Sequence, residues 1–290
     1  MAFVALPGPT RALTARMAAK AFSGRPSFVL VPVMSSLARL ALALLALVTS
    51  TQAAGEIRIP VLLYHRFHPS TAASTTITVG TFEAQLRELK ARGYTIVPAR
   101  DLVEYLQGRR RELPARAVVV TVDDGHRSVY TELFPIVLRE RIPVTLFIYP
   151  SAISRADYAL TWKQLRTMHA SGLVDVQSHT YWHPNFNQER RRLAPAQFAR
   201  FAREQLERSR AAIEAHLDGR VDMIAWPYGI VDGELEAFAK ASGYAAGFTM
   251  ERRPVGPTED VLALPRYAVT DADRGAAFLR ILTGAAGAAP

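Results

Sequence analysis

Val118-Val119-Val120-Thr121-Val122-Asp123-Asp124-Gly125 is the stretch from which the fold can be read. A short apolar run of β-branched residues, bounded by turn residues, is the pattern of a strand buried in a parallel sheet. In parallel α/β folds, ligands sit outside the carboxyl ends of such strands. Asp123 and Asp124 therefore stand where chemistry is usually placed. Adjacent residues on an extended chain point in different directions, so the two carboxylates can have different tasks. Like charges this close repel unless a cation or proton is shared, and the pair asks for a metal. Asp-Gly after a strand is also ordinary turn chemistry, and these eight residues alone leave both readings open.

On either side of this strand the pattern repeats. Apolar runs that read as strands lie at Ile59–Arg66, Val144–Tyr149, Leu173–Gln177 and Met223–Trp226, the first ending in polar, titratable residues. Further strands are expected at Tyr94–Val97, Tyr244–Thr249 and Leu264–Val269. Between them lie helical periods. Thr81 is expected to cap a helix with Phe82, Leu86 and Leu89 on one face, closed by Gly93. A short helix runs from Asp101 to Gln107, and Ser128–Arg139 is helical with a kink at Pro135. Trp162, Leu165 and His169 share a helix, Pro195–Leu217 is long and basic, and Glu234–Ser242 is shorter. The arginines at 190–192 read as a solvated loop or helix start. This alternation defines an α/β chain, either a parallel barrel or a doubly wound sheet, in a single domain.

Composition narrows the chemistry. An apolar content of 49% supplies a real core. The chain has no cysteine, which excludes disulfides, zinc-thiolate sites and cysteine nucleophiles. Any metal must be held by His, Asp or Glu. The net charge is +9, but residues 1–53 carry five of the basic groups and no acid, leaving +4 on residues 54–290. That mild excess suits contact with acidic envelope polymers. No arginine–aromatic pattern argues for nucleic acid.

Residues 34–53 have the order of a secretory signal. Arg39 precedes the apolar run Leu40–Val48, too short to span a bilayer, and Thr51-Gln52-Ala53 forms a small-residue cleavage site. The mature chain is expected to begin near Ala54 and to be periplasmic or secreted, with membrane contact through the signal segment alone; an uncleaved membrane anchor is the alternative reading of the same segment. Residues 1–33 read as an upstream extension, with Met34 the expected start.

Four strand ends carry unusual residues: Tyr64-His65, Asp123-Asp124, His179-x-x-x-His183 and Pro227-Tyr228-Gly229. In a barrel these ends converge on one face. Two imidazoles and one carboxylate with open positions suit a catalytic divalent ion, and neutral imidazole suits Zn, Co, Ni or Fe. A bare His-x-x-x-His also describes surface or core histidines; its place after a strand favours metal binding. The loop allows one helical turn that puts both rings on one face.

Thr121-Val-Asp-Asp-Gly125, His179-Thr-Tyr-Trp-His183 and Trp226-Pro-Tyr-Gly229 resemble the successive motifs of the polysaccharide deacetylase family (carbohydrate esterase family four, the NodB-homology domain). Pro60-Val-Leu-Leu-Tyr-His65 is similar to the first strand of many members. The resemblance covers roughly residues 57–270. It implies a distorted (β/α) barrel of seven or eight strands and metal-dependent hydrolysis of N-acetyl groups on amino-sugar polymers. By that resemblance Asp123 is the general base, and Asp124, His179 and His183 hold the metal, zinc before the others. The backbone N–H of Tyr228 helps bind the oxyanion. Trp182, Trp226 and Pro227 are the expected substrate-binding residues; the two indoles either stack on sugar rings or pack in the core or rim.

The sequence departs from the family at two points. Many members place an arginine two residues before the motif proline to orient the base; here that residue is Ala225, and Arg266 is the candidate substitute, with a structural salt bridge as its other reading. Many also carry a late histidine as general acid; none follows His216, and His65 is the candidate. The gap resembles the exopolysaccharide deacetylases acting on poly-N-acetylglucosamine. Chitooligosaccharide or peptidoglycan are the other N-acetylated substrates. The same site serves O-acetyl esterase chemistry on xylan or peptidoglycan, and the departures leave room for a catalytically weak carbohydrate-binding protein.

Overall fold

The computed structural model describes residues 58–284. The stretch 1–33, the signal expected at 34–53 and the last six residues lie outside them.

Strand β5 (Ala117–Val122) is buried along its whole length. It pairs in parallel with β1 (Val61–Tyr64), in a register that sets Leu63 opposite Thr121 and Tyr64 opposite Val122. From β5 the sheet continues through β6 (Val144–Ile148), β7 (Val174–Ser178), β8 (Met223–Ala225) and β9 (Ala246–Phe248), every pairing parallel. On the other side β10 (Tyr267–Ala268) pairs with β1. Strand β4 (Thr95–Val97) joins the first half of β5, which makes eight strands, while β2 (Arg66–His68) and β3 (Thr76–Thr78) pair in a separate two-stranded sheet. The segment entering β10 closes the ring. Leu264 bridges Phe248 of β9 in parallel, and a few residues later the same segment lies on β1. This is the distorted parallel barrel expected from the sequence.

The strand residues serve two cores. Val118, Val120 and Val122 pack outward with Phe82, Leu86 and Leu133 of the helical layer. Helix α1 spans Val79–Ala91, and Val61, Val119, Phe147, Met223 and Phe248 belong to a second cluster with Leu102 and Val103 of α2 (Ala99–Leu106). Arg100 of α2 reaches Asp222 at 3.0 Å and Asp175 at 3.4 Å, both at the amino ends of their strands. Helix α2 thus covers the amino end of the barrel, and the carboxyl ends are left for the site.

Some boundaries differ from expectation. Thr78, not Thr81, caps α1; its hydroxyl accepts the Thr81 N–H at 3.2 Å. The irregularity near Pro135 precedes it, as a π turn at Val129–Leu133. Pro135 itself lies in the first turn of α3 (Phe134–Glu140), where a missing N–H costs no helical bond. Helix α4 (Trp162–Ala170) begins at a Thr161–Gln164 capping box. The arginines 190–192 end α5 (Phe186–Arg192), where cations complement the helix dipole. The long helix α6 stops at Glu214 (Pro195–Glu214), short of Leu217. Two shorter helices follow, α7 (Gly233–Ala241) and α8 (Ala276–Thr283). Among the described residues no helix is long and apolar enough to cross a membrane.

Candidate metal centre

Val119, Thr121 and Asp123 share one face by the two-residue period of a strand, so Asp123 extends the inner face of β5 just past its carboxyl end. There it meets Arg266. The guanidinium donates from one NH2 group to Asp123 Oδ1 at 2.8 Å and from the other to Oδ2 at 2.7 Å. It also donates to the Thr121 hydroxyl at 3.2 Å and, through Nε, to the Thr249 carbonyl at 2.9 Å. Arg266 is fully buried and Asp123 is 2% exposed. The Phe147 and Phe248 rings lie 5.6 and 6.0 Å from the guanidinium carbon. Burial raises the Asp123 pKa, but Arg266 and His179 outweigh it, and the net shift is downward. Asp123 is an ionised carboxylate held in one orientation.

Asp124 turns the other way. Its φ of 76° lies in the left-handed region, and Gly125 follows at 75°. A side chain at Gly125 would meet Ile148 Cγ2 at 2.9 Å, so both the backbone turn and the close approach require glycine. The turn places Asp124 Oδ1 3.7 Å from His179 Nε2 and 3.9 Å from His183 Nε2. Donor atoms of Asp124, His179 and His183 all lie within 4.8 Å of one another. Ligands at about 2.1 Å from one tetrahedral ion stand about 3.4 Å apart, so a small inward adjustment brings these three onto a divalent cation.

The donor chemistry fits as well. His179 Nδ1 lies 2.7 Å from the Ala225 carbonyl. A carbonyl only accepts, so Nδ1 carries the proton and the Nε2 lone pair faces Asp124. His183 has its pKa lowered to about 4, first by burial and then by His179, so it is a neutral imidazole. Asp123 Oδ2 is 3.8 Å from His179 Nε2, but both its oxygens are already held by Arg266.

The expected helical turn between the two histidines does not form. Residues 179–183 are an irregular loop in which Thr180 and His183 take φ of 63° and 65°. Tyr228, at 58°, is a fourth non-glycine residue in the left-handed region at this end of the barrel. Such conformations cost energy and concentrate at functional sites. Tyr228 lies in the single turn Pro227–Gly229, whose bonds run from Gly229 N–H to Trp226 O and from Ile230 N–H to Pro227 O. The Tyr228 N–H lies outside that ladder. Its ring is exposed and stands edge-on to His183, with centroids 4.7 Å apart.

His65 is half-buried beside the pair. Burial lowers its pKa, with Asp123 and Asp124 opposing and Arg266 and His179 adding. Trp182 is 43% exposed and borders His183. Trp226 is a correction. It is fully buried and its indole donates to the Leu262 carbonyl at 2.8 Å, so no ring face is left for a sugar. Gly247 allows that approach, since a Cβ there would lie 2.5 Å from the indole nitrogen. Pro227 is buried too, which corrects its expected place among the substrate-binding residues. His169 and His216 serve the scaffold, bonding the Asp218 carbonyl and stacking on Trp162. The sequence reading missed the Ala225 carbonyl and Thr121 hydroxyl, for which no sequence signal exists. It also missed Tyr149, whose place at the carboxyl end of a strong strand was a usable clue.

Residues 110–247 match the family described as polysaccharide deacetylase. That segment of the chain is similar to the family, and the barrel and the order of the motifs agree with the match. It is 24% identical over 200 residues to the poly-beta-1,6-N-acetyl-D-glucosamine N-deacetylase of Staphylococcus epidermidis, covering 68% of each chain. The solved structure of IcaB from Ammonifex degensii is 29% identical with a TM-score of 0.65, over 76% of this chain and 94% of that one. The deacetylase PplD of Streptococcus pyogenes, solved with acetate, superposes with a TM-score of 0.69 at 22% identity, over 78% of this chain and 99% of that one.

Proposed function

We propose that this protein is a metal-dependent polysaccharide N-deacetylase whose substrate is a polymer of N-acetylglucosamine. The observation that supports it most is the pairing of two carboxylates with separate partners: Asp123 bound by Arg266, and Asp124 grouped with His179 and His183. The likeness to relatives named for poly-beta-1,6-N-acetylglucosamine points to that polymer. A divalent cation held by Asp124, His179 and His183, zinc by the donor set, would polarise the acetamide carbonyl and acidify a water beside it.

The residues supply the rest. Asp123 takes a proton as the water oxygen adds to the carbonyl carbon. Arg266 holds that carboxylate in place and keeps it ionised. The Tyr228 N–H donates to the oxyanion that develops, an effect worth roughly 3 kcal/mol in comparable sites. His65 delivers a proton to the nitrogen as the C–N bond breaks, leaving acetate and a free amine. Exposed Trp182 offers a ring to the polymer. Acetate release from N-acetylglucosamine oligomers, peptidoglycan and acetylxylan, with and without chelator, tests this reading. Chelator-sensitive release from the oligomers supports it, and release from acetylxylan alone would make the enzyme an O-acetyl esterase.

Residues 54–290 form the catalytic domain in this reading, exported to the periplasm or medium by the segment 34–53. N-terminal sequencing of exported protein should find a start near Ala54; an intact leader would contradict cleavage.

A further inference from the structure

On the His183 side the site opens into a pocket of about 430 Å³, lined among others by Tyr149, Arg155, Tyr158, Trp182 and His183. That is within the size range of small-ligand sites. Most of it comes from the loop between β6 and α4, which no step of the proposed reaction uses. Its rings are braced. The Tyr149 and Tyr158 hydroxyls lie 2.9 Å apart, Tyr158 stacks on His126 with 10° between planes, and Trp182 stands against Phe201. Held faces of this kind receive a sugar ring at little entropic cost.

The charge around the pocket has one prevailing sign. Arg155 lines it and is exposed. Arg66 acts on both Tyr149 and His126, and Arg127 on His126. Among the described residues none of these three arginines forms an ion pair. The nearby acids are Asp124, committed to the metal group, and exposed Asp157, whose backbone carbonyl, not its carboxylate, meets Arg127.

We propose that this pocket seats the sugar unit next to the one losing its acetyl group, and that Arg155 selects a neutral, still acetylated neighbour over a protonated glucosamine. The proposal rests on the deacetylase reading. Each turnover leaves an ammonium on the polymer, and like charges at contact range repel. A product unit is therefore a poor occupant of this seat, and acetyl groups are removed at intervals, not in runs.

The test compares kcat/KM for acetate release from N-acetylglucosamine tetramers that are fully acetylated or carry one glucosamine beside the acetylated unit. The wild type should favour the first by about fivefold or more. Arg155→Gln should shrink that ratio, Arg155→Glu should remove or invert it, and Arg155→Lys should keep it. An unchanged ratio in Arg155→Glu overturns the proposal. Calorimetric Kd values of metal-free protein for fully acetylated and fully deacetylated tetramers give a second readout. There the wild type should prefer the acetylated tetramer, and Arg155→Glu should lose that preference; equal preference in both proteins refutes the seat. If the wild type releases no acetate, the deacetylase reading fails, and the calorimetric preference still decides the role of Arg155.

Discussion

Arg266 holds Asp123 by two parallel hydrogen bonds of 2.8 and 2.7 Å, with both side chains removed from water. The grip comes from the strand that closes the barrel, while the carboxylate comes from its central strand. Closing the fold and orienting the carboxylate are one event.

Removing one partner of this pair leaves a buried charge without its counterion. Arg266→Ala should lower unfolding free energy by about 3–5 kcal/mol. The double variant Arg266→Ala with Asp123→Ala should cost less than the sum of the singles, because the orphaned charge goes with its partner. Urea denaturation of the four proteins checks this, and strict additivity would mean that the pair is not coupled.

The two tryptophans should part company. Trp226→Ala empties a buried site and should cost about 3–5 kcal/mol of stability. Trp182→Ala, at an exposed ring, should leave stability within about 0.5 kcal/mol of wild type while weakening polymer binding. Denaturation midpoints and oligosaccharide affinities, measured together, separate the roles.

Asp271 links the start of α1 to the chain after β10. Its carboxylate accepts from the Thr78 N–H at 2.9 Å and hydroxyl at 2.7 Å. Burial raises its pKa, but hydrogen bonds from Thr81 and Thr78 outweigh that and bring it to about 2. A carboxylate depressed in the folded state stabilises above its unfolded pKa of about 4 and loses that contribution as pH falls toward 2. Wild type should therefore exceed Asp271→Asn in urea midpoint at pH 6, and the gap should close by pH 2. A constant gap would contradict the linkage.

What could be read in advance follows from where the physics is local. The valine run into Asp123-Asp124 is a local pattern, and so is His179-x-x-x-His183 after a strand; both gave the barrel and the ligand group. Arg266 was legible only as a candidate, because its two bonds to Asp123 depend on ring closure by residues about 140 positions away. The burial of Trp226 depends on Gly247 and the Leu262 carbonyl, neither adjacent to it. The helical turn expected between the histidines failed because Thr180 and His183 enter the left-handed region, a choice made by the site and not by propensity.

The division of labour between Asp123 and Asp124 is the centre of the account. Metal content by elemental analysis, taken beside acetate release, tests it in Asp123→Asn and Asp124→Asn. Both variants should lose most activity, because water activation needs cation and base together. Asp123→Asn should retain its metal, since Asp123 is held by Arg266, while Asp124→Asn should lose much of it. An active Asp123→Asn enzyme, or loss of metal from both variants, would contradict the assignment.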